Sequence, residues 1–338
     1  MGAELVPTVL KLAVMLLFLL QVAPIMLWVE RRGSALIQDR LGPNRVGPLG
    51  LFQGLADAVK FMFKEDVTPA AADKPLFLMA PVLALLPAFT TIVVIPFGPD
   101  FLYNGRTYPL VVAPVETGVL LYLAIASLSV YSLVLAGYAS NNKFSLLGAL
   151  RASAQLISYE LAMAIAVLAV VVPVGSFYLG DVVQYQRENV WNALPQLLGF
   201  LVFVIAAFAE TNRLPFDLPE AESELIAGFH TEYSAMRFAV FFMAEYTSMA
   251  ALSALGVTLY LGGWSLPGVD LHGWLGAAVG LAVLLGKVAL CMLFFVWVRW
   301  TFPRFRYDQL MRLGWKVLLP LAIFNLILVA VLTLAGVL

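Results

Sequence analysis

The chain has 338 residues, of which 62% are apolar and 12% charged, and its mean hydropathy is +0.92. Soluble globular chains carry charge on about a quarter of their residues. Too few ionic groups are therefore available to cover a water-facing surface, which excludes the soluble enzyme classes and predicts an integral membrane protein. The 20 Lys and Arg residues balance 21 Asp and Glu residues, so a globally basic nucleic-acid-binding protein is also excluded.

Residues that bind redox cofactors are scarce. The chain has a single cysteine, Cys291, and two histidines, His230 and His272. Iron–sulfur clusters normally need several thiolates, and haem needs axial ligands. We therefore expect no redox cofactor on this chain alone, so that any electron transfer would depend on partner subunits.

In chain order, the predicted elements are apolar stretches long enough to cross a bilayer as helices, which takes about 20 residues. We predict an all-α membrane protein with about eight transmembrane helices, forming a single polytopic domain over residues 1–338. The fifth stretch is short and ends at Glu210, which predicts a helix that stops inside a polar cavity. The eight stretches are Leu5–Val29, Leu76–Phe97, Val115–Tyr138, Ala154–Gly175, Leu194–Thr211, Phe238–Leu261, Trp274–Val298 and Val317–Val337.

Basic residues are distributed unevenly among the connections. Sixteen of the 20 Lys and Arg residues lie in the connections after the odd-numbered spans, and two lie after the even-numbered ones. Positive charge marks the cytoplasmic side. This pattern predicts cytoplasmic odd-numbered connections and both termini on the other side, in a bacterial cytoplasmic membrane.

The first connection, residues 30–75, contains an amphipathic segment. Its polar face carries Gln53, Asp57, Lys60 and Lys64, and it follows glycine- and proline-rich turns around Arg40 and Arg45. We predict a helix lying in the membrane interface. The pattern alone fits an ordinary surface helix better than a functional one. The apolar face comprises Leu51, Phe52, Leu55, Val59, Met62 and Phe63.

A second connection, residues 211–237, is unusually acidic. Three of its carboxylates, those of Glu220, Glu222 and Glu224, follow Pro219 and have a simple explanation, because acids near a helix start stabilise the helix dipole. That explanation does not account for Glu210, which ends the preceding apolar span and directly precedes this acidic segment.

Ionisable residues also lie within the predicted spans, namely Glu160, Glu210, Glu245 and Lys287. An intramembrane charge costs about 3 kcal/mol on insertion scales, so these groups must face inward. Each glutamate could simply pair with a base to fix helix packing. Four such positions on four different spans favour a polar path, and we predict a proton relay.

Four long segments resemble the membrane component, called the H subunit in bacteria, that forms the quinone chamber of respiratory complex I. They read ERRGSALIQDRLGPNRVGPLGLFQGLADAVKFMFKED, LLGALRASAQLISYE, AETNRLPFDLPEAESELIAGFHTEYSAMRFAVFFMAEY and FPRFRYDQLMRLGWK. The resemblance implies a position between the hydrophilic and membrane arms of the complex. It also implies a quinone substrate, with FMN and iron–sulfur clusters held by partner subunits.

The resemblance also assigns roles residue by residue. Its buried proton path matches Glu160, Glu210 and Glu245, and the acids that link the chamber to this path match Asp217, Glu220, Glu222 and Glu224. Charged positions at the chamber and its junction match Glu30, Arg31, Arg213 and Arg299, and Asp57, Ala58 and Lys60 lie on the helix that would border the entrance. One departure is Ser127, where some bacterial members carry a further glutamate; a serine can hold a water but no negative charge.

Three alternatives remain at this point. The related membrane component of an energy-converting hydrogenase uses no quinone, and agreement along the chamber segments argues against it. A self-sufficient secondary transporter would tend to show internal repeats and broken helices in matching halves, which the sequence does not obviously contain. A purely structural anchor would not need intramembrane carboxylates.

Overall fold

The computed structural model describes residues 2–103, 106–219, 225–269 and 273–337. Within these residues the chain forms twelve α-helices and one short antiparallel hairpin, in which Phe101–Tyr103 pairs with Arg106–Tyr108. The helices are α1 (Gly2–Ile37), α2 (Gln53–Phe63), α3 (Lys74–Thr90), α4 (Gly118–Ala126), α5 (Ser129–Ala139), α6 (Lys143–Val174), α7 (Leu179–Glu188), α8 (Leu197–Glu210), α9 (Ala235–Tyr260), α10 (Gly273–Thr301), α11 (Tyr307–Leu313) and α12 (Leu319–Leu334). Shorter helical turns are Pro48–Gly50, Thr91–Val94, Gly228–His230 and Gly314–Leu318.

Seven helical stretches in the described part of the chain are long and apolar enough to cross a membrane. The predicted all-α membrane class is thereby confirmed, and the count of eight is approximate. The remaining predicted span is α8, which is apolar but has 14 residues. At 1.5 Å per residue it is about 21 Å long, shorter than a hydrocarbon core of about 30 Å. The seven stretches are Thr8–Ile37, Lys74–Val94, Gly118–Ala139, Lys143–Val174, Ala235–Tyr260, Gly273–Thr301 and Tyr307–Leu334.

Helices α6 and α9 form the centre of the molecule. Helix α6 packs against α5, α8 and α12, whereas α9 packs against α1, α3 and α10. Every residue from 249 to 260 of α9 is buried. The Tyr260 hydroxyl donates a hydrogen bond to the Ala166 carbonyl at 3.1 Å, which joins the two central helices.

Two glycines permit close backbone approach to α6. A Cβ at Gly137 would lie 2.3 Å from the Ala149 Cβ, so α5 and α6 pack closely only because this side chain is missing. A Cβ at Gly148 would lie 2.9 Å from the Gly228 Cα, in the turn Gly228–His230. Small residues at such contacts are typical of helix packing in membranes.

The third predicted span is interrupted, which the sequence did not predict. Helix α4 ends at Ala126 and α5 begins at Ser129. The Ser127 hydroxyl donates to the Ala124 carbonyl at 2.9 Å, and the Ser132 hydroxyl donates to the Ser129 carbonyl at 2.6 Å. Serine hydroxyls that bond to preceding carbonyls can bend a helix.

The last span begins earlier than predicted, at Tyr307, and contains a π-helical turn at Gly314–Leu318. Such wide turns often lie near functional sites. Here the turn packs beside α6: the Trp315 indole donates to the Ser158 hydroxyl at 2.9 Å, and the Tyr159 hydroxyl donates to the Leu310 carbonyl at 2.8 Å.

Lys287, on α10, stabilises the turn that follows α9. Its ammonium donates to the carbonyls of Leu261, Gly263 and Ser265 at 2.7, 2.9 and 2.8 Å, and it lies 4.7 Å from the centre of the Trp191 ring. The three N–H groups of the Lys287 ammonium thus satisfy three backbone carbonyls. This structural role differs from the polar path that the sequence predicted for Lys287.

Replacing Lys287 with Met keeps the apolar stem but removes all three hydrogen bonds. We expect Lys287→Met to lower the free energy of unfolding by about 2–3 kcal/mol, because buried carbonyls lose their partners. Thermal unfolding in detergent measures this loss, and the exposed Lys316→Met serves as the control. Equal melting temperatures for both variants would contradict the structural role.

Candidate functional site

A buried charge cluster joins three helices near the end of α8. Glu30 of α1 accepts a hydrogen bond from Arg213 at 2.9 Å, and it also pairs with Arg299 of α10. The Arg213 Nε lies 2.5 Å from a carboxylate oxygen of Glu245 on α9. The Arg213 side chain is only 5% exposed. All four residues belong to the site predicted from the sequence, and the structure brings them together.

Tyr246 completes this cluster. Its hydroxyl donates to Glu30 at 2.7 Å, and its ring lies 4.4 Å from the guanidinium carbon of Arg213. Sequence analysis missed this residue. Its position directly after Glu245 was the available signal, because a buried tyrosine beside a buried ion pair needs a partner for its hydroxyl.

The charge state of Arg213 follows from its contacts. Burial alone would lower the pKa of this guanidinium, but the carboxylates of Glu245 and Glu30 outweigh burial and raise the pKa well above its ordinary value. Arg213 therefore remains a cation at every physiological pH. Arg213 keeps the carboxylates of Glu30 and Glu245 close, because an unpaired charge buried in the protein costs free energy.

Asp217 lies in the loop after α8 and pairs with Arg304. A carboxylate oxygen of Asp217 accepts a hydrogen bond from the Arg304 guanidinium at 2.7 Å. Burial raises the pKa of Asp217, and Arg304 only partly offsets this rise. Sequence analysis singled out Asp217 but not its arginine. The other acids expected to link chamber and path, Glu220, Glu222 and Glu224, lie outside the described residues.

A cavity of about 80 Å³ connects two of the predicted proton-path residues, Glu210 and Glu245. One carboxylate oxygen of Glu210, Oε2, is buried and has no hydrogen-bond partner in the described part of the chain. The polar residues that line this cavity are Ser129, Ser132, Glu210, Thr211, Asn212, His230, Glu245 and Ser248. Most of its wall is apolar, but these polar groups and its volume suit a few water molecules.

His230 lies in the wall of this cavity and is buried among the rings of Phe229, Phe238 and Phe242. Burial lowers the pKa of His230 from 6.5 to about 4. The imidazole is therefore neutral at pH 7.

Glu160, the third predicted path residue, does not line this cavity. It is half-buried on α6 and interacts electrostatically with Glu210. The structure therefore brings Glu210 and Glu245 to one cavity, whereas Glu160 does not line it.

A second cavity, of about 400 Å³, lies between α1, α2 and α9. Gly54, Asp57, Ala58 and Phe61 line it from α2, Arg31 lines it from α1, and Tyr246 lies at its boundary with the charge cluster. Most of its remaining wall is apolar, formed by side chains such as Leu20, Leu27, Val240 and Met243.

Helix α2 is attached by its polar face. Asp57 is buried, pairs with Arg31 at 2.7 Å and lies 3.5 Å from the Lys60 ammonium. Gly54 contacts Pro24 of α1 so closely that a Cβ would lie 2.9 Å from the Pro24 Cβ. The predicted apolar face points away from the protein: Leu51, Phe52, Leu55, Val59, Met62 and Phe63 are 51–87% exposed.

No group of three or more His, Cys, Asp or Glu side chains within the described ranges is arranged to hold a metal ion.

Comparison with known proteins gives consistent matches along the chain. Residues 10–330 match the profile of the family described as NADH dehydrogenase. An H subunit of the NADH-quinone oxidoreductase of Geobacter metallireducens is 49% identical over 317 residues, which cover 94% of this chain and 93% of the relative. The corresponding H subunit of Salinibacter ruber is 49% identical over 321 residues (91% and 90%), and one from Cytophaga hutchinsonii is 47% identical over 307 residues (89% of each).

Proposed function

Because the chain belongs to the NADH dehydrogenase family, among the H subunits of NADH-quinone oxidoreductase (respiratory complex I), we propose that it forms the quinone chamber of that enzyme and couples quinone reduction to proton movement along buried glutamates. Its partners are other subunits of complex I. In this proposal quinone is the substrate, and FMN and iron–sulfur clusters belong to hydrophilic-arm partners. Antiporter-like membrane subunits are the partners that would continue the proton movement across the membrane.

The observation that carries the proposal is the position of Tyr246. Its side chain borders the apolar cavity beneath α2, and its hydroxyl bonds to Glu30 in the charge cluster. An apolar route therefore ends at a set of buried charges. A quinone has an apolar tail and a polar head group, so this arrangement matches both ends of the molecule.

The coupling step follows from the double role of Glu245. It pairs with Arg213, and it also lines the small cavity that contains Glu210. Reduction of a quinone places negative charge near the cluster, which competes with Glu245 for Arg213. A glutamate released from its cation takes up a proton more readily, and water in the small cavity would carry protons between Glu245 and Glu210. Glu160 lies next in this path.

Glutamine substitutions test the path, because glutamine keeps size and hydrogen bonding but cannot exchange a proton. We expect Glu210→Gln and Glu245→Gln to assemble and to lose about tenfold or more in coupled quinone reduction. Glu160→Gln should lose less. Quinone reduction and proton pumping in proteoliposomes provide the measurement.

The exposed Glu188→Gln, on α7 outside the predicted path, is the control for these variants. Its activity should equal that of the unmodified enzyme. Normal pumping in both Glu210→Gln and Glu245→Gln would refute the glutamate path.

Ala58 tests the route to the chamber. It lines the apolar cavity from α2, so Ala58→Phe should narrow the space between α1, α2 and α9. We expect a raised apparent KM for long-tailed quinones, a smaller effect on short-tailed analogues, and unchanged NADH oxidation by a water-soluble acceptor. Overpacking of this kind costs about 1–3 kcal/mol when space is limited.

Ala56→Phe is the matched control, because Ala56 is exposed on the same helix and does not line the cavity. If Ala58→Phe raises the apparent KM equally for long- and short-tailed quinones, the quinone entrance lies elsewhere.

For orientation, the uneven distribution of basic residues supports cytoplasmic odd-numbered connections in a bacterial cytoplasmic membrane. Single cysteines at positions 143 and 304 should react with reagents on the cytoplasmic side, and cysteines at 106 and 187 should react on the other side. The Ser replacement of Cys291 provides the background chain. The opposite labelling pattern would refute this orientation and would put the proposed chamber on the non-cytoplasmic side.

A further inference from the structure

Two small cavities meet at Glu210. The cavity shared with Glu245 has a volume of about 80 Å³, and a second one of about 30 Å³ lies between α3, α4, α5, α8 and α9. Both are lined by Ser129, Glu210 and Ser248. The smaller cavity also contacts Thr91 and Tyr122.

Both cavities are large enough for water and carry polar groups on part of their walls. A cavity needs about 10–15 Å³ to hold one water molecule, which in turn needs two to four polar partners. The smaller cavity therefore has room for at least one water and the larger for several. Hydroxyl and carboxylate groups on their walls supply the partners.

Glu210 needs such water. Its Oε2 atom is buried without a hydrogen-bond partner in the described residues. Nearly all buried polar atoms in proteins have partners, and a bare carboxylate oxygen is costly. Water between the serine hydroxyls would supply the missing donor.

Tyr122 marks the far side of the smaller cavity. Its side chain is 1% exposed, and its hydroxyl is hydrogen-bonded to Thr91 and interacts electrostatically with Glu210. Ser127, by contrast, turns its hydroxyl back onto Ala124 and lines neither cavity. Ser129 and Tyr122 therefore line the space beside Glu210, whereas Ser127 does not.

We propose that Ser129 and Ser248 hold a row of ordered water molecules across Glu210, from Glu245 on one side to the Tyr122 hydroxyl on the other. The proposal rests on the proton path described above and names the groups that position its central carboxylate. When a proton passes from Glu245 to Glu210, the first water takes it up and the last water releases another. Each transfer breaks one O–H bond and forms one, and every water is neutral afterwards. Ser129 and Ser248 are positioning residues in this scheme.

Infrared difference spectroscopy of the intact complex tests the water row, because the frequencies of a carboxyl group report its hydrogen bonds. The infrared bands of the Glu210 carboxyl group, whether it is protonated or ionised, are identified because they disappear in Glu210→Gln. We expect these bands to shift in the double variant S129A/S248A, and coupled quinone reduction to fall about tenfold. Tyr122→Phe should shift the bands less.

Two control variants lie on α9, which carries Ser248, but neither residue lines these cavities. Ser253→Ala is on α9, five residues beyond Ser248, and Tyr260→Phe removes a buried hydroxyl that bonds to the Ala166 carbonyl. Neither should move the Glu210 bands. If the double variant fails to assemble, Ser129→Ala alone is measured in the same way.

Unchanged Glu210 bands in the serine variants would overturn the water row, as would equal shifts in the controls. The proposed function fails separately: it would be refuted by full coupled activity in Glu210→Gln, whatever the bands show. Loss of activity in Glu210→Gln with unmoved bands in S129A/S248A would leave the proton path standing without the water row.

Discussion

The guanidinium of Arg213 is the interaction on which the site depends. It is buried in a loop between two membrane helices and binds carboxylates that lie far from it in sequence, Glu30 and Glu245. Removing one partner of a buried ion pair is far more costly than the pair is worth, because it leaves an unpaired charge. The contact therefore determines where α1, the loop after α8 and α9 lie relative to one another. Arg299 adds a second cation to Glu30 and so ties α10 to the same point.

This arrangement has two sides with different chemistry. On one side, Tyr246 borders an apolar cavity covered by α2; on the other, Glu245 borders a small polar cavity. The two carboxylates, of Glu30 and Glu245, balance the charge of the Arg213 and Arg299 guanidinium groups. In the proposed mechanism, one additional negative charge is enough to alter which partner Arg213 holds, and the effect reaches the polar cavity without any large movement of helices.

Much of the fold could be predicted from sequence because lipid imposes simple length and composition requirements. Seven of the eight predicted spans correspond to long apolar helices, and the short one had been recognised by Glu210 at its end. The interruption at Ser127 was not predicted, because local hydroxyl-to-carbonyl bonds leave no signal in hydropathy. Lys287 was assigned to a polar path because sequence shows its depth but not the three carbonyls around it.

The candidate site was predictable where charge itself was the signal. Glu30, Arg213, Glu245 and Arg299 are rare charges in or beside apolar segments, and the structure places them together. Tyr246, His230 and Ser129 were missed because neutral polar residues are common in membrane helices and their role depends on which side chains lie opposite. Sequence spacing could not distinguish Ser129, which faces Glu210's cavities, from Ser127, which does not.

The contact between Gly148 and Gly228 determines the shape of the cavity that Glu210 and Glu245 share. The turn Gly228–His230 carries one wall of the 80 Å³ cavity, and this turn rests on the backbone of α6 with no side chain between them. Main-chain contacts have no rotamers and cannot adapt as side chains do. The volume of the cavity beside Glu210 therefore depends on a contact between two glycines that lie 80 residues apart in sequence, and a methyl group added at either glycine would change that volume as effectively as a substitution inside the cavity.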